Sequence, residues 1–373
     1  MAIKSRICEI FGIKYPIFLA GMGGAANPAL AAAVSNAGGL GVLGAAACTP
    51  EQMRRWINET RELTDKPFGV DTLLPMSVRG GGNTKQNQGQ DPSELLDEYK
   101  KMAMQFMTEQ GLKLIEEDRQ ATAIESVGLF TKEFFESQME VVIEEKVPVY
   151  AAGLGNPDPW MERMRANDTK VMTVVGAVRH TVKVAAAEVD AIVAQGHDAG
   201  GHNSPIGTMA LLPQVVDAAN GIPVLGAGGI SDGRGIAAAL MLGAEGVWIG
   251  SAFLAAEESG IHPHQKQAIV DATEEGTVIS RSITGKPARI IRSAWTDFWE
   301  RSEHDPLPMP YQSAIAGGVL AAADADGRQD INPGFAGQGI GMIKKVRPAA
   351  EIMDELVEGL ERTLQDSKKL TSI

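Results

Sequence analysis

Residues 189–204 read VDAIVAQGHDAGGHNS. The run Val189–Val193 is short and mainly apolar, as a strand buried in a parallel sheet is. The chain then turns through Gly196, Gly200 and Gly201, with His197, Asp198 and His202 inside six residues. Glycine allows close backbone approach to a ligand and positive φ. A histidine held there exchanges a proton near neutral pH. A strand end that opens into a glycine loop with titratable groups is the pattern of an active site rather than of a fold element.

The same strand–loop–helix unit recurs along the chain. Short apolar runs lie at Pro16–Met22, Leu40–Leu43, Phe68–Leu74, Pro148–Ala152, Val171–Val175, Ala191–Gln195, Pro223–Ala227 and Gly246–Ile249. Helical patterns follow the first seven, at Pro28–Ala37, Pro50–Leu63, Thr131–Lys146, Pro157–Ala166, Thr181–Glu188, Thr208–Asn220 and Asp232–Leu242. Thr49, Thr208 and Asp232 are expected caps, and Pro50 suits a first helical position. The eighth helix lies far downstream at Pro348–Leu364, where Ile352, Leu356, Leu360 and Leu364 recur at spacing four. Eight such units predict a closed (β/α)8 TIM barrel in preference to an open doubly wound sheet.

A barrel takes roughly 250 residues, so two segments are in excess. Pro75–Phe130 starts with SVRGGGNTKQNQGQDPS and continues into a helical pattern at Glu94–Glu117. Residues 76–92 are expected to be mobile and protease-sensitive, because a polar, glycine-rich run offers little burial against the entropy of ordering. The second excess segment is Ala256–Gln338. The expected organisation is a barrel over 1–255 with the insertion 75–130, a smaller substrate-side domain at 256–338, and a C-terminal helix at 339–373 returning to the barrel. Both additions leave from C-terminal strand ends, where barrel enzymes place their sites.

Composition narrows the function classes. Of 373 residues, 44% are hydrophobic and 22% charged, and the formal net charge is −13. That charge disfavours binding to nucleic acid or an anionic membrane surface. No apolar run reaches the roughly 18 residues of a membrane span. The N-terminal stretch does not read as a signal peptide. Two cysteines, Cys8 and Cys48, make no disulfide framework, so a cytoplasmic location is expected. Both read as packing residues.

Chemistry concentrates at strand ends. Leu225-Gly226-Ala227-Gly228-Gly229-Ile230 precedes Ser231-Asp232 and a helix, and Ile249-Gly250-Ser251 ends the eighth strand. These are the seventh and eighth strand ends, where barrels bind phosphate on backbone N–H groups. Neither a Rossmann GxGxxG in a βαβ setting nor GxxxxGK[ST] occurs, and Gly21-Met22-Gly23-Gly24 does not match the former. His197, Asp198 and His202, or His262 with His264, are conceivable metal ligands, but HExxH is missing and no metal is expected. A serine hydrolase would need a GxSxG elbow, which is also missing. His202, after two glycines at a strand end, is the catalytic candidate; His197 reads as a surface or supporting residue.

Several ordered segments together resemble the nitronate monooxygenase family, formerly 2-nitropropane dioxygenases. They are Pro16–Met22, Gln195-Gly196-x-Asp198-Ala199-Gly200-Gly201-His202, Gly226–Ile230, Gly243–Phe253, Ser280–Arg289 and Gly337-Gln338-x-x-Gly341. The resemblance spans residue 6 to about 364 and is poor only over Pro75–Phe130. It implies an FMN-binding barrel without metal. Ala20, Gly21 and Met22 would line the flavin ring with Asp71 beside it, and Gln195, Gly200 and Gly201 would run along the cofactor. Gly226, Gly228, Gly229, Gly250 and Ser251 would bind near its phosphate, and His202 would face the flavin. Some members carry a flavin-contacting lysine at the end of the fifth strand; Val174 stands there. Asp198 replaces the commoner glutamate. The implied reaction is oxidation of an alkyl nitronate by O2 to a carbonyl compound and nitrite. NAD(P)H-dependent enoyl-thioester and quinone reductases share these motifs and form the alternative. The implied partners are small molecules, with a homo-oligomer open.

Overall fold

Short β-rich runs separated by amphipathic stretches can bury both faces of each strand only if helices cover one side and strands pack on the other. A computed structural model of the chain describes residues 5–74, 95–113 and 131–370. The first half runs α1 (Arg6–Phe11), β1 (Ile17–Leu19), α2 (Pro28–Asn36), β2 (Gly41–Gly44), α3 (Pro50–Leu63), β3 (Phe68–Leu73), α4 (Leu96–Glu109), α5 (Lys132–Glu144) and β4 (Val149–Leu154). It continues through α6 (Met161–Arg165), β5 (Lys170–Val175), α7 (Val178–Ala185), β6 (Ala191–Gln195), a two-residue β7 (Gly201–His202), α8 (Thr208–Ala218), β8 (Val224–Ala227), α9 (Gly233–Met241) and β9 (Gly246–Ile249).

Eight strands, all but β7, form one parallel sheet in the order β1-β9-β8-β6-β5-β4-β3-β2. A parallel bridge between Phe18 and Leu40 joins β1 to β2 and closes the barrel. These are the eight predicted strands, with the predicted seventh and eighth appearing as β8 and β9. Inside, Phe18, Val42, Ala151, Met172, Val193, Leu225 and Trp248 form one cluster, and Ile7 and Phe11 of α1 plug its N-terminal end. A larger cluster lies between the strands and the helices.

After β9 the chain forms α10 (Ser251–Leu254), α11 (Pro263–Asp271), β10 (Thr277–Ser280), β11 (Ala288–Ile291), α12 (Ala294–Arg301), α13 (Tyr311–Ala325) and finally α14 (Ala349–Ser367). The last is the eighth barrel helix: Ile352, Met353, Leu356, Val357 and Leu360 bury against the barrel layer. A separate apolar cluster joins Tyr99, Phe106 and Met107 of α4 to Trp295, Trp299, Ile315 and Val319. Both excess segments therefore share one core. The expected mobile stretch 76–92 lies outside the described residues, as does the end of the expected helix beyond residue 113.

Local chemistry explains the boundaries. Thr49 accepts from Gln52 N, and Asp232 accepts from Arg234 N and Gly235 N, as caps do. Thr208 is not a cap but the first residue of its helix; Gly207 holds the cap position. The helix expected at Thr181–Glu188 starts three residues earlier. It has no side-chain cap, and Thr181 sits inside it with its hydroxyl donating back to Ala177 O at 3.4 Å. Among the described residues, no helix is long and apolar enough to cross a membrane.

The contact between α9 and α14 is closest at two glycines. A Cβ on Gly233 would lie 2.1 Å from Gly359 C, whereas one on Gly359 would lie 3.3 Å from Gly233 backbone. Alanine normally favours a helix interior over glycine. Here Gly233→Ala is expected to lower the unfolding free energy by about 1–3 kcal/mol through overpacking, with Gly359→Ala costing less. Urea titration of both variants checks this, and an unchanged midpoint for Gly233→Ala would mean that the two helices separate freely.

Candidate active site

The glycine loop after β6 is held from several sides. Gln195 Nε2 donates to His202 O at 2.8 Å, tying the strand end to the loop end. Asn203 Nδ2 donates to His197 O at 2.9 Å, and His197 Nδ1 lies 2.9 Å from Ser204 O. Asp198 Oδ2 accepts from Thr208 N at 2.7 Å, satisfying an orphan amide at the start of α8. His197 and Asp198 are thus bracing residues.

A second sheet anchors the loop to the segment after β9. Its order is β10-β11-β7, all antiparallel, with His202 opposite Ala288 and Gly201 opposite Arg289. Arg289 is 3% exposed. Its Nε and Nη2 donate to His197 O at 3.3 and 3.1 Å, and Nη1 donates to Thr277 Oγ1 at 3.2 Å. Burial lowers the Arg289 pKa, and the charge of Asp198 offsets part of that. Beside it, His202 Nε2 lies 2.8 Å from Thr284 Oγ1. Arg289, Thr284 and Lys286 belong to the quoted Ser280–Arg289 motif, yet sequence reasoning gave them no role. The available signal was a charged residue inside the apolar run Ala288–Ile291.

His202 keeps solvent-accessible surface while protein surrounds its ring on most sides, as a residue lining a concave mouth does. Burial, then the positive charge of Lys286, pushes its pKa down to about 4. The ring is therefore neutral at pH 7, the form that a general base requires.

Asp71 lies at the top of β3 and is 5% exposed. Gly153 N–H donates to its carboxylate, but burial dominates and raises the pKa well above the usual range. A Cβ on Gly21 would come within 2.5 Å of the Asp71 carboxyl, so glycine is required at 21. Ala20 and Met22 approach Gly250: a Cβ there would lie 3.5 Å from Ala20 Cβ and 3.2 Å from Met22 Sδ. Ala20, Gly21, Met22, Asp71 and Gly250 thus gather at the same end of the barrel. Val174, at the end of β5, packs against the barrel interior.

Neighbouring strand ends β8 and β9 present the remaining candidates. Gly228 and Gly229 have φ of +100° and +72°. Among the described residues, the amides of Gly228, Gly229, Gly250 and Ser251 donate to no protein acceptor. Gly226 is different. A Cβ there would meet Ala239 Cβ and Leu212 Cδ2 at 3.1 Å, so this glycine serves helix packing behind the strand and corrects its expected place at the ligand. Gly229 also needs a revised explanation: its positive φ and Asp198 Cβ, 3.0 Å from an added Cβ, exclude a side chain without any ligand. Gly200 packs on the Ala336–Gly337 backbone, whereas Gly201 has open space where a Cβ would point. Ser251 Oγ accepts from Gly337 N at 2.8 Å, and Gln338 N donates to Asp198 O at 2.9 Å. The 336–339 segment therefore closes one flank of the site. A cleft of about 360 Å³ opens there, bordered by Asp198, Gly228, Gly229 and Gln338.

His262 and His264 lie in a different place. His264 Nε2 is 3.1 Å from Asp324 Oδ1, a contact between α11 and α13. Among the described residues, no three His, Cys, Asp or Glu side chains are grouped to hold a metal ion. Cys8 and Cys48 are free thiols, both pushed up to about 11 by burial.

Comparison with known proteins bears on this site. The nitronate monooxygenase family profile matches residues 4–359. A Mycobacterium tuberculosis protein named as a monooxygenase is 38% identical over 95% of this chain and 96% of its own length. A nitroalkane oxidase from Streptomyces ansochromogenes superposes with a TM-score of 0.80 at 28% identity, covering 96% of this chain and 99% of that one. FabK from Thermotoga maritima, an enoyl reductase, gives 0.73 at 30% identity, covering 99% of each chain.

The depressed His202 pKa has a defined sign. The folded state favours the neutral ring, so its contribution to stability is full above the unfolded value of 6.5. That contribution is lost as pH falls from 6.5 towards about 4. The ring-proton NMR titration of His202 is expected to have its midpoint near 4, and His202→Gln is expected to flatten the stability–pH curve between those values. A midpoint near 6.5 would contradict the crowded, neutral ring.

Proposed function

Given that this chain belongs to the nitronate monooxygenase family, whose members are flavin-dependent oxidoreductases, we propose that it uses FMN and O2 to convert alkyl nitronates to carbonyl compounds and nitrite. The observation that carries this reading is the neutral His202 ring at the barrel mouth, on a loop neighbouring strand ends with undonated amides. When bound, the flavin supplies the redox chemistry, taking electrons from substrate and passing them to oxygen.

The chain's own residues have separable tasks. The amides of Gly228, Gly229, Gly250 and Ser251 suit a phosphate, since backbone N–H groups at such turns bind anions without basic side chains. Ala20, Gly21, Met22, Asp71, Gln195, Gly200 and Gly201 border the ring system. Asp71, held towards its protonated form by burial, offers a donor there rather than a second negative charge. Thr284 Oγ1 donates to Lys286 O at 3.3 Å, which leaves its lone pair to accept Nε2–H of His202. Nδ1 of His202 then takes the α-proton of a neutral nitroalkane. The lobe built from α4, α12 and α13 forms the substrate side of the mouth, and its β11 strand pairing with β7 sets the position of His202.

Similarity to FabK favours one other reading, NAD(P)H-dependent reduction on the same fold. Anaerobic mixing with NADH, NADPH or propyl nitronate, followed by flavin absorbance, separates them: the proposal expects propyl nitronate to bleach the flavin. Fast bleaching by NAD(P)H with no response to nitronate would replace it.

Two variants test the residue roles. His202→Ala is expected to retain FMN and to lose ~10²–10⁴-fold in turnover of neutral nitroalkane, the usual worth of general-base catalysis. Preformed nitronate, already deprotonated, should lose much less. Equal losses would make His202 a positioning group, and no loss would remove it from the reaction. Gly229→Val is expected to fold, by circular dichroism, but to release FMN on gel filtration. Full retention would exclude Gly229 from the cofactor site.

A further inference from the structure

The turn between β10 and β11 is built to hold one lysine in a fixed place. Gly285 N donates to Arg281 O at 2.9 Å, and Arg281 Nε donates to Gly285 O at 2.9 Å. Gly285 has φ +80°, and a Cβ on it would lie 2.3 Å from Leu307 O, so the turn accepts only glycine there. Thr284 Oγ1 lies 3.3 Å from both Lys286 N and Lys286 O while contacting His202 Nε2. Lys286 thus stands two residues before Ala288, the β-pair partner of His202. It is half-buried, and its charge acts directly on the His202 ring.

A half-buried ammonium beside a histidine that stays neutral defines a site with one fixed positive charge. Burial raises the strength of any ion pair formed there, because screening by water is weakened. We propose that Lys286 is the anion-binding, specificity-determining residue of the mouth: its ammonium holds the negatively charged nitro-group oxygens of a nitronate next to His202 and selects the anion over the neutral nitroalkane. This deepens the nitronate reading and rests on it for the identity of the substrate. The division of labour is then clear. Lys286 recognises charge, Thr284 fixes the ring, and His202 remains uncharged for proton transfer.

Lys286→Met keeps the apolar stem and removes the charge; Lys286→Arg keeps the charge. With the FMN-loaded enzyme, Lys286→Met is expected to raise KM for propyl nitronate by about 10- to 100-fold, the worth of one hydrogen bond to a charged group. KM for neutral nitropropane should change little, and Lys286→Arg should recover most of the nitronate affinity. An unchanged nitronate KM, or an equal rise for both substrates, overturns the proposal. A second measurement does not depend on turnover. Butyrate carries a carboxylate of the same charge and planar shape as the nitronate head, and its binding is followed through the His202 ring protons by NMR. Saturable binding to the wild type that is lost in Lys286→Met supports the anion site even if nitronate is not turned over, in which case the functional reading alone fails. Equal butyrate binding by both proteins, or no binding to either, overturns the anion site itself.

Discussion

A buried guanidinium holds the active-site loop in its working shape. Arg289 reaches from β11 to the carbonyl of His197, with Thr277 and the charge of Asp198 close by. A charged group in the interior is tolerated only when its donors are met. The loop carbonyl is one such acceptor, so loop and strand depend on each other. Asp198 in turn caps α8, and the loop ends in His202, whose ring meets Thr284 on the same hairpin that carries Arg289. Barrel, loop and added sheet therefore form one mechanical unit around the mouth.

Two cores divide the work of stabilising this arrangement. The barrel interior and its helical layer set the strand ends at which ligand-facing groups are displayed. The second cluster, made by α4 with α12 and α13, draws residues from insertions far apart in sequence. Each insertion alone offers too little apolar surface for an independent core. Packed together they support the hairpin that pairs with β7. The long detour between β9 and α14 thus supplies active-site parts without interrupting the barrel, because α14 returns to close the helical ring beside α9 and α2.

Most of the barrel was legible in the residues. All eight strands stand where short apolar runs place them, since a strand buried on both faces must be continuously apolar. Thr49 and Asp232 mark helix starts because their side chains satisfy free amides. Thr208 misled because its amide is met by Asp198, ten residues earlier in sequence, rather than by a local cap. The second sheet was not legible. β7 has two residues, too few for alternation, and exists only through its partner at residues 288–289. Gly226 looked like its glycine neighbours but is held by Ala239 and Leu212 behind the strand.

The sequence by itself determined the barrel, the strand ends that carry glycine, and the choice of His202 as the reactive group, because period, apolar run length and turn chemistry are local properties. Tertiary structure alone decided the electrostatics. The pKa of about 4 at His202 and the raised pKa of Asp71 come from burial and from Lys286, and none of these can be read from neighbours along the chain. It also decided which residues support the loop, since Arg289 and Thr284 reach it across more than eighty positions. Desolvation and through-space charge depend on which atoms surround a group, and only the folded chain sets that.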